Sequence, residues 1–395
     1  MSLIQLQEPT PSNPGFSTIL LSVGFRPFFA LGSLIGAILM LSWVFVYRGT
    51  LELPLANIFS WHAHEMIFAY AIAIVAGFLL TAVRNWTGLD TARGPLLLSL
   101  VILWLLPRPL SMMLAPSLWL SIIDLAFIPA LAICLAAPII RSKNWRNLLF
   151  IPILSAFFIC NLLYHLAIHQ QLEINPSTPI LFALELILML ITIIGARVMP
   201  MFTRNGTQAA VEPRSFPNQP LILLAVGISQ LLINTLLDIK LLQAASSLVF
   251  AAVIIWAWLG WQGTALWRKP MLWVLHIAYL GLAISYISKA ASQYHLIANS
   301  FWIHSAAVLC IGMMTIGFIG RVSLGHSGRK LECSRLMLSS YCLMLLAVVL
   351  RLAASIWPNP ALWDGAAFCW SLALLCFAIE FIPYLSSPRA DGKDL

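Results

Sequence analysis

The stretch SWHAHEMIFAYAIAIVAGFLLTAV, from Ser60 to Val83, decides the fold class of this chain. It is long and apolar enough to form a membrane-spanning helix, which needs about 20 apolar residues. It nevertheless begins with three ionisable residues, His62, His64 and Glu65. Ionisable groups within a span are costly, and they usually pair with one another or line a functional site. The stretch therefore predicts a membrane span with a polar site near its first turns.

The composition of the whole chain is typical of a polytopic membrane protein. Of the 395 residues, 61% are hydrophobic and 9% are charged, and the mean hydropathy is +0.92. These values exclude a soluble globular domain. The net charge of +8 does not indicate nucleic-acid binding, because the basic residues lie in short loops between spans rather than on one face.

Twelve apolar segments predict twelve transmembrane helices and an all-α fold. Pro107 and Pro109 interrupt the third segment and are expected to kink or break it. The predicted transmembrane domain covers residues 17–385, between an N-terminal tail of residues 1–16 and a C-terminal tail of residues 386–395. The segments are Phe28–Tyr47, Trp61–Val83, Pro95–Leu114, Ser117–Ile140, Leu148–His169, Thr178–Val198, Leu221–Leu237, Leu241–Trp258, Met271–Lys289, Phe301–Ile319, Leu336–Ile356 and Leu362–Ile382.

The basic residues also predict the orientation of the chain. With both termini in the cytoplasm, fifteen of the 22 Lys and Arg residues fall in cytoplasmic loops and tails, and three fall in the opposite loops. The positive-inside rule favours this orientation. It places His62, His64 and Glu65 at the outer end of the second span, with His304 at the same depth on the tenth.

Three inward-running spans end alike, which is typical of an internal repeat. The second ends in GFLLTAVRNWTG from Gly77, the sixth in IIGARVMPMFTRNG from Ile193, and the tenth in IGFIGRVSLGHSGR from Ile316. Each has a small residue, then Ala-Val or Arg-Val, then a basic loop that contains glycine. A four-helix unit that occurs three times explains these ends. The general chemistry of positively charged loops explains them equally well.

Histidines on two spans form a candidate haem site. A neutral imidazole is a good axial ligand for haem iron, and two on facing helices would hold a porphyrin inside a bundle. His304 would supply one ligand and either His62 or His64 the other, because these two point about 200° apart on a helix. The haem propionates would need cations near the outer surface, and those in place are Lys289, Arg351 and Arg48.

Further ionisable residues lie near the outer ends of the spans. His165 and His169, four residues apart on the fifth span, share a face and could bind copper or zinc. As interfacial histidines they would need no metal, and the sequence favours neither interpretation. Glu65 and Glu185 are candidate catalytic residues, because carboxylates within membranes often relay protons.

Four motifs resemble the NnrS family of bacterial membrane proteins: GFRPFF, WHAHEMIF with AGFLLTAVRNWTG, GARVMPMFTRNG, and HSAAVLCIGMMTIGFIGRVSLGHSGR. The resemblance implies a protein of the bacterial cytoplasmic (inner) membrane that carries haem and copper. It also implies a role in the tolerance of nitric oxide, and so of nitrosative stress, by denitrifying or pathogenic bacteria. By the same resemblance, His62, His64 and His304 are the candidate metal ligands, with Glu65 beside them.

The span count and the histidines on spans two and ten are also similar to the catalytic subunit of haem-copper oxidases and nitric oxide reductases. In that family, histidines of the second and tenth spans hold a low-spin haem, and histidines of the sixth and seventh spans hold the binuclear metal. Here the sixth span offers Glu185, and the seventh, LILLAVGISQLLINTLL, has no histidine. A binuclear centre at those positions is therefore not expected.

These features lead to three candidate functions, and they do not decide whether the protein is an enzyme. The first is a haem-binding protein of the lipid bilayer, in which nitric oxide or a nitrosyl species meets the metal near the outer face. The second is an oxidoreductase like nitric oxide reductase, which would need a quinol or another electron donor. The third is a secondary transporter. It ranks last, because transporters place polar groups near the bilayer midplane.

Overall fold

The protein is a bundle of membrane-length helices. The computed structural model describes residues 15–55 and 57–392, and this part of the chain contains helices and no strand. Twelve of its helices are long and apolar enough to cross a membrane, which confirms the predicted polytopic all-α fold. Most of the predicted N-terminal tail and the last three residues lie outside the described part. A short helix, Phe16–Leu20, precedes the first span.

We number the twelve spans α1 to α12 in chain order. Their bounds are Phe25–Tyr47, Ile58–Thr87, Gly94–Met113, Leu118–Arg141, Trp145–Ile168, Ser177–Gly206, Gln219–Leu236, Lys240–Leu259, Pro270–Gln293, Asn299–His326, Arg335–Ile356 and Pro360–Leu385. The end of the bundle at which α2 and α10 begin is called the histidine end, because it holds His62, His64 and His304. The opposite end, where Arg84 and Arg321 lie, is called the basic end.

Capping explains where α2 begins and ends. The Asn57 side-chain oxygen accepts hydrogen bonds from the backbone N–H groups of Phe59 (3.1 Å) and Ser60 (3.0 Å). These bonds satisfy N–H groups that have no partner within the first turn. At the other end Gly88 adopts φ +68°, a left-handed conformation that commonly terminates helices. The helix therefore extends beyond the predicted segment at both ends.

Three helices form the centre of the bundle. In α2, α6 and α10, 83% of the most apolar 18-residue window is buried, and these helices have 30, 30 and 28 residues. They recur at every fourth span, as the predicted repeat requires. α6 packs against both α2 and α10, and the outer ring closes where α1 packs against α12. This recurrence at every fourth span favours a repeated four-helix unit as the origin of the three similar span ends. The alternative, the general chemistry of positively charged loops, does not explain why the three helices are all central.

The central helices are longer than the sequence predicts. The sixth and tenth spans were expected to end at Val198 and Ile319, with basic loops beyond, but α6 continues to Gly206 and α10 to His326. The expectation that these residues form loops is wrong. Side chains in the added turns, such as Thr203 and Leu324, are buried against neighbouring helices, and this packing compensates for the polar residues around them.

The third span continues through its two prolines. Helix Gly94–Leu105 is followed directly by Pro107–Met113, and Leu106 between them keeps helical dihedral angles. The Arg108 Nε donates to the backbone carbonyl of Trp104 at 3.1 Å. This bond lies within one helical turn, and the Arg108 side chain is buried inside the protein.

Two of the central helices contain π-helical segments at matching places. In α2 the segment is Glu65–Ala71, directly after His64, and in α10 it is Ser305–Gly312, directly after His304. π-Helical turns are rare and occur often at functional sites. They shift the register of the helix just below the histidines, so the residues above and below face different neighbours.

Candidate functional site

A cavity of about 510 Å³ lies at the histidine end of the bundle. Sites for small molecules and cofactors commonly occupy about 300–1,000 Å³ and are mostly apolar. Residues of α1, α2, α6, α10, α11 and α12 form its walls. Its larger apolar surfaces are aromatic side chains, namely Trp43, Tyr47, Phe59, Tyr70, Trp363 and Trp370.

His304 lines this cavity, and one of its two ring nitrogens already has a hydrogen-bond partner. Its Nδ1 lies 2.6 Å from the backbone carbonyl oxygen of Ser300, one turn earlier in α10. A carbonyl oxygen only accepts hydrogen bonds, so Nδ1 carries the proton. In neutral imidazole the Nε2 then keeps its lone pair. Metal-binding histidines are commonly oriented by a backbone carbonyl in this way.

His62 lines the same cavity from α2. Its ring stacks on the Trp43 indole, with centroids 4.3 Å apart and planes 18° from parallel. Its Nδ1 is buried and has no hydrogen-bond partner among the residues that the structure describes. A buried polar atom without a partner is uncommon and calls for a ligand or a water. The structure therefore brings together two of the predicted ligands, His62 and His304.

Of the three cations that the sequence places near the outer surface, Arg351 lines the cavity. Its Nη1 donates to the Ser355 hydroxyl at 3.1 Å, and no carboxylate in the described part of the chain pairs with it. The other two lie elsewhere. Lys289 forms an ion pair with Glu185, and Arg48 pairs with Asp364 near the surface, where their hydrogen bond raises the pKa of Arg48 above its usual value.

His64 belongs to a different, buried polar site on the other side of α2. His64 Nδ1 lies 3.0 Å from Glu65 Oε1, and His64 Nε2 lies 2.9 Å from Asn161 Oδ1. Arg108 donates to both Glu65 oxygens, at 3.0 and 3.1 Å, and forms an ion pair with Asp124. We call this site the Arg108 cluster, formed by His64, Glu65, Arg108, Asp124, Asn161 and His165.

The hydrogen bonds of the Arg108 cluster define the protonation of His64. The Asn161 amide nitrogen donates to Asp124 Oδ2 at 2.9 Å, so its oxygen faces His64 as an acceptor. The Glu65 carboxylate is also an acceptor, and His64 must therefore donate from both ring nitrogens. An imidazolium at His64 and the guanidinium of Arg108 together balance the two carboxylates. Charge balance of this kind is what a buried ionic site requires.

The same cluster contains a set of metal-ligand atoms. One ligand atom each from His64, Asp124 and His165 lie within 4.8 Å of one another. His165 Nε2 is 2.9 Å from Asp124 Oδ2, and its Nδ1 is buried without a partner among the described residues. A metal ion here would replace one proton of His64 and weaken the pairing of Arg108 with Asp124.

His165 and His169, which the sequence offered either as a metal-binding pair or as interfacial histidines, have different partners. His169 Nε2 lies 2.9 Å from the Ser121 hydroxyl, at the edge of the bundle, whereas His165 contacts Asp124. His165 is on α5, whereas His169 directly follows the last residue of that helix, Ile168. The geometry joins His165 to His64 rather than to His169.

Comparison with known families agrees with these motifs and their placement. The family model described as NnrS protein matches residues 19–389. The chain belongs to the NnrS family. Membership of this family supports a role in the response to nitric oxide. No curated protein matches the chain.

Glu185, the second candidate catalytic carboxylate, lies in an ion pair in this member of the NnrS family. Its Oε2 accepts a hydrogen bond from the Tyr286 hydroxyl at 2.9 Å, and its Oε1 pairs with Lys289. Lys289 also lies over the Trp302 ring, 5.5 Å from its centroid. These contacts join α6 to α9. Glu65 is likewise paired, within the Arg108 cluster, so neither carboxylate stands free in the cavity.

Several residues that position the NnrS histidines were not singled out from the sequence. Ser300 precedes His304 by four residues, and Asn161 precedes His165 by four, spacings that place each pair on one helical face. Helical spacing could have identified both. Trp43 and Arg108 come from other helices, and no local pattern relates them to the histidines.

Proposed function

We propose that the protein binds haem in the cavity between α2 and α10, with His62 and His304 as ligands, and that the haem serves tolerance or metabolism of nitric oxide. The observation that carries the proposal is that one cavity is lined by two histidines from different central helices and by an arginine that pairs with no carboxylate among the described residues. Family membership supports nitric oxide as the molecule concerned.

The residues present fit a haem in four respects. The volume is in the range of cofactor sites, and aromatic side chains and alanines suit an apolar ring. His304 offers Nε2, because Nδ1 is committed to the Ser300 carbonyl. His62 has an unpartnered buried nitrogen. Arg351 supplies a cation of the kind that a propionate needs.

Each of these residues would have a separate task. Haem would supply, when bound, an iron centre at which nitric oxide could bind in place of one of the two histidines. Ser300 orients the His304 ring, and Trp43 holds the His62 ring by stacking. Arg351 would pair with a carboxylate of the cofactor, and Trp363 and Trp370, which also line the cavity, would keep water from the ring. His62 is favoured over His64, since both nitrogens of His64 are committed within the Arg108 cluster.

For the copper ion that the family resemblance implies, we propose the ligands His64, Asp124 and His165. Imidazole nitrogens with a carboxylate oxygen are a suitable donor set for Cu(II), and the three ligand atoms already lie close together. Since copper would weaken the Arg108–Asp124 pair, we expect its binding to depend on the position of Arg108.

An optical spectrum of the purified protein tests the haem proposal. We expect a Soret band that His304→Ala greatly reduces and that His169→Ala leaves unchanged. His169 is a matched control, because it is a histidine of the same end of the bundle that does not line the cavity. Wild-type protein without a Soret band, prepared from cells that make haem, would refute the proposal.

A further inference from the structure

A second, smaller space lies deeper in the bundle. It has a volume of about 70 Å³ and is lined by residues of α2, α6, α9 and α10. We call it the central chamber. Its walls are almost wholly aliphatic and aromatic, and they include Ile74, Val75, Ile191, Val198, Leu275 and Met314.

The central chamber offers no site for water. Among the residues that line it, Thr315 is the one with a polar side chain. Its hydroxyl donates a hydrogen bond to the Ile311 backbone carbonyl (2.8 Å). It also forms a hydrogen bond with the Tyr70 hydroxyl (2.7 Å). A buried water needs two to four polar partners, and cavities without them stay dry and bind apolar molecules. The chamber has room for a small molecule, since about 10–15 Å³ is enough for one water.

The chamber adjoins the histidine cavity. Ala71 of α2 and Ile311 of α10 line both spaces. The hydrogen bond between Tyr70 and Thr315 crosses the same junction, because Tyr70 lines the cavity and Thr315 lines the chamber. This bond holds α2 and α10 together where the two spaces meet. A molecule in the chamber is therefore next to the cavity, and the two hydroxyls at the junction already satisfy each other.

Three aromatic rings in contact with one another line the chamber towards the basic end. Phe78, Phe202 and Phe318 come one from each central helix. The Phe318 centroid lies 5.2 Å from that of Phe78 and 6.4 Å from that of Phe202. Beyond them, the Arg321 guanidinium stacks on Phe202, 4.3 Å from its centroid. Cations from that side meet a positive charge and anions meet an apolar layer, so this boundary favours uncharged molecules.

From these observations we infer that the central chamber is a binding site for a small uncharged gas, such as nitric oxide, and supplies it to the histidine cavity. The inference rests on the proposed haem site for the fate of the gas, but the binding step itself needs no haem. Nitric oxide is uncharged and dissolves in the bilayer core. An apolar space within the spans lies at the same depth as the dissolved gas. The chamber would raise its local concentration beside the cavity.

Xenon tests binding in the chamber independently of haem. Crystals of the full chain are pressurised with xenon, and we expect anomalous density between Val75, Ile191 and Phe318. Val75→Phe and Val198→Phe each fill the space and should remove it. Val249→Phe makes the same substitution on the exposed side of α8 and should retain it. Two filling variants are used so that one folding failure leaves the test intact. Wild-type protein without xenon in the chamber would overturn the inference.

Flash photolysis of carbon monoxide from the reduced haem tests supply to the cavity. We expect second-order rebinding to be several-fold slower in Val75→Phe than in wild type and unchanged in Val249→Phe, with the same Soret band in all three. If wild-type protein prepared from cells that make haem contains no haem but binds xenon, the proposed function is refuted and the chamber is supported as a gas site. An intact Soret band with unchanged rebinding in both filling variants would overturn the supply role and leave the proposed function standing.

Discussion

His62 and His64, two residues apart in α2, serve two separate sites. His62 lines the cavity that it shares with His304, and His64 lies in the Arg108 cluster with Glu65. Residues two apart on a helix point about 200° apart, so one helix can serve sites on opposite sides. This requires protein on both sides, and α2 has it because it is a central helix. The ionisable start of the span thus belongs to two internal sites rather than to the lipid interface.

The first prediction separates the two histidines. Because His62 faces the cavity and His64 is committed elsewhere, His62→Ala should lose most of the haem and His64→Ala should retain it. The measurement is the Soret absorbance per mole of protein after purification in the same detergent. Loss of haem in His64→Ala, with retention in His62→Ala, would show that the ligand assignment is wrong.

The second prediction concerns Arg351. Arg351 pairs with no carboxylate in the part of the chain that the structure describes, so it can pair with a propionate, and Arg351→Gln should release haem faster than wild type. The rate of haem transfer to an excess of an apo-haem protein measures this release. Arg48→Gln is the control, since Arg48 pairs with Asp364 away from the cavity. Equal release rates in the two variants would contradict a role for Arg351 in holding the cofactor.

The number of spans could be predicted from the sequence, and a repeat of four helices was one of two interpretations that it offered, because both depend on local patterns. The central position of α2, α6 and α10 was not predicted. Length and apolarity define a span, and the similar ends of the second, sixth and tenth spans already indicated a period of four. The helix ends were predicted less well. Residues such as Arg204 and His326 look like loop residues, yet tertiary packing keeps the last turns of α6 and α10 helical.

The candidate site was predicted in part. Helical spacing limited the choice to His62 or His64, but it could not decide between them, because that choice depends on which neighbours cover each face of α2. The partner of Lys289 was also beyond prediction. Glu185 lies 104 positions earlier in the chain, and a contact of such separation has no signature in a single sequence.

The third prediction concerns copper. A ligand atom of His165 lies close to those of His64 and Asp124, whereas His169 contacts Ser121. His165→Ala should therefore lower the copper content of protein reconstituted with Cu(II), and His169→Ala should not. Elemental analysis after removal of free copper gives the ratio of metal to protein. Each variant should keep its Soret band, since neither residue lines the cavity. An equal copper content in His165→Ala and wild type would refute the proposed ligands.

The fourth prediction tests the ion pair between α6 and α9. Removal of one partner from a buried pair leaves an uncompensated charge and costs about 3–5 kcal/mol. Glu185→Gln and Lys289→Met should each lower the midpoint of thermal unfolding in detergent. The double variant should recover much of the loss, because a pair replaced by uncharged residues carries no buried charge. If the two losses add instead, the residues do not act as a pair.

The fifth prediction addresses Arg108, on which the buried cluster depends. Arg108 contacts both carboxylates, and its side chain is 4% exposed. Arg108→Ala leaves Glu65 and Asp124 with His64 as the single remaining cation of the cluster, so we expect a loss of about 3–5 kcal/mol in the free energy of unfolding. Arg204→Ala is the matched control. It breaks an exposed pair with Glu212, and exposed pairs contribute about 0–1 kcal/mol.

Added Cu(II) should stabilise Arg108→Ala more than wild type, because a bound divalent ion replaces the missing charge without displacing a guanidinium. Thermal unfolding with and without Cu(II) measures both effects. Equal stabilisation of the two proteins would show that Arg108 does not compete with the metal.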